Sequence, residues 1–273
     1  MPKGFQWQML RMGPMCRYAE DIPLMMEILG GESVRSLHLR DEVNFSKIRL
    51  FYMEGVQHTP TVQSLSCEMR SALQKAVTYF EEKFDIEAIR LDLPLITKTI
   101  EIFSTSTKVD GIPKMAEMFL SLEGDRGSLN WAAELPKLLR GKSVHTPGAV
   151  FLSLFESLDK PSEDEKAEYR RLRERLTRQV TELLGTDGIL LFPSWPITAP
   201  YHHQTVFAPF NLAYTGLFNA LTLPVVECPL GLDSYGLPLG VQVVGAHNSD
   251  RLLIAAAQQL SHAFGGWTPA WSQ

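Results

Sequence analysis

Polar groups of three useful kinds flank one apolar run. Gly188–Phe192, GILLF, follows Asp187 and leads into Pro193-Ser194-Trp195-Pro196 and then His202-His203. A serine, an imidazole and an acid are the parts of a hydrolytic triad, in which the imidazole takes the hydroxyl proton and the acid orients the ring. The unbroken apolar run reads as a strand buried on both faces, and ligands of open α/β sheets sit beyond the carboxyl ends of strands. The segment after GILLF is therefore the first place to look. The pattern speaks against a triad, because Ser194 lies between prolines and no G-x-S-x-G elbow occurs anywhere in the chain. An independent hydrolase built on Ser194 and His202 would rest on closeness in sequence alone. His202 and His203 are adjacent rather than an i, i+4 helical pair, and no H-E-x-x-H or C-x-x-C accompanies them. Loop histidines are the better reading, and neither a metal nor a cofactor is expected.

Other candidate motifs dissolve in the same way. Gly124-Asp-Arg-Gly127 lacks the Gly-Lys-Ser/Thr end that gives a phosphate loop its lysine and metal-binding hydroxyl, so it reads as a surface loop. The arginines of RRLRERLTR are interleaved with or preceded by Glu163, Asp164, Glu165, Glu168 and Glu174, which makes a solvated helix face. Arg17 and Asp21, four apart, are read as a structural pair of little energetic weight.

Composition bounds the answer. The 273 residues are 45% hydrophobic and 21% charged, enough for a sizeable core, and a net charge of -5 gives no electrostatic reason to expect nucleic acid. Cys16, Cys67 and Cys228 stand far apart, so no disulfide framework is indicated and a reducing, intracellular compartment is expected. MPKGFQWQMLRMG has no long apolar core and is a poor secretory signal. No stretch reaches the roughly 18 apolar residues of a membrane span, although a shallow interfacial contact needs only an apolar face.

The elements that must position any site follow from periodicity. Ala19–Leu29 reads as a helix stopped by Gly30-Gly31, Lys47–Met53 as a strand, Val62–Phe84 as an amphipathic helix and Ile86–Leu91 as a second strand, together a parallel crossover unit. Weaker helical fragments lie at Ile96–Thr105, Lys114–Ser121 and Trp131–Arg140. Ser162 and Glu165 fit a capping box that opens a helix running to about Leu184. Phe210, Ala213, Tyr214, Leu217, Phe218 and Leu221 share one helical face, with Pro224 as the stop. Val225-Val226 and Leu239–Val244 are strands joined by a loop of turn-formers, expected to be antiparallel. The last helix runs from about Ser249 to Phe264, capped by Asn248 or Ser249. A parallel crossover unit beside such an antiparallel pair makes the fold class α/β. Asn219, in a largely apolar helix, needs a hydrogen-bond partner, either a loop backbone or a ligand.

Three blocks carry a resemblance: GPMCRYAEDIPLMMEILGG, DGILLFPSWPITAP, and FNLAYTGLFNALTLPVVECPLGLDSYGLPLGVQVVG with the final FGGW. In this order they resemble the amidase signature family, and within it the type-two fatty-acid amide hydrolases. The resemblance implies a partial amidase signature fold, with a mixed and mainly parallel sheet flanked by helices on both faces, and a parent hydrolase that cleaves fatty-acid amides to fatty acid and amine through a Ser–Ser–Lys apparatus. A serine needs an activating base and the oxyanion needs preorganised donors, which the family supplies from a Gly/Ser-rich signature upstream of the GPMCRY block. This chain has no Ser-Ser dipeptide and no Gly/Ser-rich run. Neither Lys98 nor Ser194 is nominated as a substitute, and no catalytic residue is expected here. Residues 1–273 are expected to be the C-terminal portion of a single amidase domain, inactive alone. By resemblance the AYTGLF helix lies near an acyl-chain channel, so Tyr214, Thr215 and Phe218, with Asn219, are the substrate-channel candidates. A lipid amide or acyl chain is the implied ligand. The alternative is a non-catalytic lipid-binding protein, or one that pairs with a full-length amidase or with itself.

Overall fold

The computed structural model describes residues 5–9, 11–108 and 129–269. The Lys114–Ser121 fragment and the Gly124–Gly127 loop lie outside the described residues. Five strands form one sheet: β1 Arg49–Tyr52, β2 Ala88–Arg90, β3 Gly188–Pro193, β4 Val225–Leu232 and β5 Pro238–Val244, in the order β2-β1-β3-β5-β4. β1 pairs in parallel with β2 and β3, while β5 runs antiparallel to β3 and β4. Four of the five strands thus point the same way.

Among the described residues the helices are α1 Phe5–Met9, α2 Ile22–Gly30, α3 Cys67–Phe84, α4 Thr99–Thr107, α5 Trp131–Leu139, α6 Pro147–Leu158, α7 Glu163–Leu184, α8 Ala213–Leu221 and α9 Asp250–Phe264. Alternation along the strands separates two cores. Leu50, Ile189, Leu191, Val241 and Val243 pack with Leu73, Ala76 and Phe80 of α3 and with Leu253 and Leu260 of α9. Phe51, Leu190, Phe192 and Val244 face Leu176, Val180 and Leu184 of α7 and Tyr214, Leu217 and Phe218 of α8. All six residues of β3 are buried, as a strand covered on both faces requires.

Local chemistry explains where boundaries match and where they shift. The capping box forms in full: Ser162 Oγ accepts from the Glu165 N–H, and the Glu165 carboxylate accepts from the Ser162 N–H at 2.8 Å. α3 begins at Cys67 instead of Val62, because Ser66 caps it by accepting from the Met69 N–H at 3.3 Å. Val62 and Leu65 are buried all the same, from the preceding loop. Ala19–Asp21 is a 3₁₀ turn and the α-helix starts at Ile22, since Pro23 has no N–H to continue a helix from upstream. Arg17 lies over the Trp267 ring, 4.3 Å from its centroid, rather than pairing with Asp21.

Pro209–Leu212 is likewise a 3₁₀ turn ahead of α8, which ends where Thr222 turns left-handed (φ 56°), two residues before Pro224. Ser249 precedes α9 but its side chain makes no capping bond. α6 has no counterpart among the predicted elements. Its run Val150–Phe155 is apolar around most of the helix, which blurs the 3.6-residue period, although Thr146 caps it through the Ala149 N–H and Pro147 occupies its first position.

Candidate functional site

The residues around GILLF do not assemble a triad. Asp187 stands before β3 and Ser194 after it, and an extended segment of this length spans about 20 Å. Asp187 is held by Arg49 at 2.6 Å, and that hydrogen bond lowers its carboxyl pKa. His202 and His203 are exposed in a turn, their ring centroids 6.3 Å apart. No group of three or more metal-binding side chains occurs among the described residues. Lys98 is a surface residue 3.3 Å from Glu101.

Ser194 has a different partner. Its hydroxyl donates to Glu227 of β4 across β5, at the position where β5 carries Gly240. A Cβ on Gly240 would stand 2.4 Å from Glu227 Oε1 and 2.9 Å from Ser194 Oγ, so glycine is what leaves room for the contact. The two side chains share a cleft of about 290 Å³ with Met69, Trp195, Thr198 and Leu239. The surrounding protein raises the Glu227 carboxyl pKa to about 7, against the opposing pull of the Ser194 hydroxyl bond. Water still reaches the carboxyl from the open side of the cleft, which tempers the shift.

α8 is tied to the strand end beside this cleft. Buried Gln242 of β5 donates from Nε2 to the carbonyls of Pro193 and Tyr214, both at 3.0 Å, joining the end of β3 to the helix. The four channel candidates then separate by helical phase. Tyr214 and Phe218 are 1% and 2% exposed and pack on Phe192, with ring centroids at 5.7 and 5.1 Å. Tyr214 Oη donates to the Gln63 carbonyl at 3.4 Å, and burial pushes the phenol pKa up to about 12. Gly55, at φ 92°, accepts the phenol closely: a Cβ there would meet Oη at 2.4 Å.

Thr215 and Asn219 point the other way and are exposed, with Leu212 continuing the stripe at 39% exposure. Thr215 Oγ1 donates only to its own turn, the Leu212 carbonyl, at 3.4 Å. Asn219, read as needing a loop backbone or a ligand as its hydrogen-bond partner, is exposed to water, and the buried asparagine of this stretch is Asn211. Asn211 is 1% exposed, accepts from the Gln63 N–H at 3.0 Å and donates to Gln63 Oε1 at 2.6 Å. Opposite the core face, Gly216 admits the Phe103 ring of α4, which a Cβ would meet at 3.0 Å. Glu227 is the residue that the sequence motifs missed. Its one signal was a charge inside the apolar run VVECPL.

Comparisons with known proteins place this geometry in a family. Over 268 residues the chain is 40% identical to fatty-acid amide hydrolase 2-A of Danio rerio and 35% identical to fatty-acid amide hydrolase 2 of Homo sapiens, covering 97% of this chain and 50% of each relative. The chain thus spans about half the length of these curated relatives. Among solved structures, a crystal structure of an amidase superposes with a TM-score of 0.62 at 21% identity, over 93% of this chain and 52% of the other. A fatty acid amide hydrolase structure gives 0.61 at 18% identity, over 93% and 48%. These likenesses show the fold. Residues 3–254 match the amidase family, and the chain belongs to it.

Proposed function

We propose that this chain is the substrate-shaping part of a hydrolase that cleaves fatty-acid amides by serine acylation, and that it does not hydrolyse them alone. The observation that carries this reading is the identity of 35–40% to fatty-acid amide hydrolases of type two along nearly the whole chain. The 273 residues contain no Ser-Ser dipeptide and no Gly/Ser-rich run, which supports placing the Ser–Ser–Lys apparatus outside them. In this reading the nucleophile belongs to the part of the relatives' length that the chain does not span.

Within the site, Leu212, Thr215 and Asn219 form the wall that an acyl chain touches, while Tyr214 and Phe218 hold that wall from behind. The exposure of the first three and the burial of the last two support this division. The test is a chimaera joining the chain to the uncovered portion of the Danio rerio relative. Hydrolysis of a long-chain amide by the chimaera and none by the chain alone is the expected result. A folded, monodisperse chimaera without activity refutes the proposal.

A second reading has two observations in its favour. Leu24, Met25, Ile28 and Leu29 leave an exposed apolar face on α2, and β4 is an eight-residue strand at the end of the sheet. Surfaces of both kinds invite association, as expected of a non-catalytic protein that pairs with a full-length amidase or with itself. Sedimentation of the chain alone and mixed with such an amidase separates the readings: a stable complex lacking added activity favours pairing.

A further inference from the structure

The cleft at the end of β3 holds a carboxyl group without a cation. Among the described residues Glu227 makes no ion pair, and no lysine, arginine or histidine charge contributes to its titration. The Ser194 hydroxyl spends its proton on Glu227 Oε1, which leaves the second carboxylate oxygen and the serine lone pairs with acceptor capacity in a cleft that both residues line. Met69, Trp195, Thr198 and Thr205 also line that space.

We propose that this cleft binds a small primary ammonium ion, held by the Glu227 carboxylate and the Ser194 oxygen beside the Trp195 ring. The chemistry selects this ligand over others. A hard metal ion requires about six or more oxygen ligands or retained waters, and no acidic or histidine cluster supplies them among the described residues. An ammonium brings three donors for these acceptors, and the tryptophan in the lining offers a cation–π attraction. A charge-assisted hydrogen bond from an ammonium to a carboxylate is stronger than a neutral one, and this carboxylate has no cation of its own among the described residues. The cleft's volume of about 290 Å³ suits a short alkylamine.

Binding at this site does not require the chain to take part in hydrolysis. If the proposed function holds, the amine released from a fatty-acid amide takes up a proton and has this chemistry, so the site would receive that product and not the uncleaved amide. The two readings fail separately, because binding is measured on the chain alone and hydrolysis on the chimaera.

The test is calorimetric titration of the 273-residue protein at pH 8 with n-butylammonium chloride, with n-butanol as the uncharged control. Saturable binding of the cation and none of the alcohol is expected. Glu227→Gln, which keeps the shape and the serine contact, should weaken binding by about tenfold or more, a loss of about 1.4 kcal/mol. Gly240→Ala, whose methyl group displaces both acceptors, should weaken it comparably and serves if the first variant does not fold. Ser194→Ala retains the carboxylate and should cost less than either. Wild-type protein that binds butylammonium no better than butanol overturns the proposal, as does undiminished binding by a folded Glu227→Gln or Gly240→Ala variant.

Discussion

The two faces of α8 carry the same four-residue spacing and opposite environments. Tyr214 and Phe218 enter the core against Phe192, while Thr215 and Asn219, one residue on in each case, look outward. A helix advances about 100° per residue, so a one-residue step moves a side chain from the scaffold to the surface. Spacing alone marks both pairs as candidates. Depth in the fold separates the residues that hold the helix in place from those that a ligand could reach.

The largest effect should come from the buried face. Phe218→Ala removes a ring that is 2% exposed and stacked edge-on against Phe192, and should cost about 3–5 kcal/mol by denaturant unfolding. Gln242→Ala comes next. It strips hydrogen bonds from the buried Pro193 and Tyr214 carbonyls and should cost about 2–3 kcal/mol while loosening α8 from the sheet, read as faster amide exchange along the helix.

Glu227 extends the comparison to the neighbouring cleft. Its pKa is raised from 4.5 to about 7 in the folded chain, so between those values the native state binds the extra proton and stability falls as pH rises. The stabilising contribution is complete below pH 4.5 and lost by about pH 7. Glu227→Gln should therefore raise Tm by about 2 °C at pH 8 and leave it unchanged at pH 4. A shift of equal size at both pH values would show that the carboxyl is not perturbed. The smallest effects belong to the open face. Thr215→Ala and Asn219→Ala should change stability by less than about 0.5 kcal/mol, yet weaken capture of a long-chain amide, measured as a raised KM in the chimaera. A loss of stability comparable with that of Phe218→Ala would erase the distinction between the faces.

The parts of the fold visible in the sequence are those whose signals are local. The box of Ser162 and Glu165, the apolar run of β3 and the turn between β4 and β5 each state their structure within a few residues. Boundaries moved where a single residue overruled periodicity, as Ser66 did for α3 and Pro23 for α2. α6 went unseen because an apolar run has no period to read. The Ser194–Glu227 contact joins residues 33 apart, one just after β3 and one on β4 with β5 between them, and only strand order brings them together. Asn211 and Asn219 show the same limit, since two asparagines in one apolar stretch differ only in the side of the turn or helix they occupy.

The central claim is that this amidase-family chain supplies shape and not the reacting serine. Intact-mass analysis of the purified protein after incubation with a serine-reactive fluorophosphonate, beside an assay for release of fatty acid from a long-chain amide, tests it most directly. The account predicts unmodified mass and no release. A stoichiometric adduct on Ser194 or any other serine, accompanied by turnover, would contradict it.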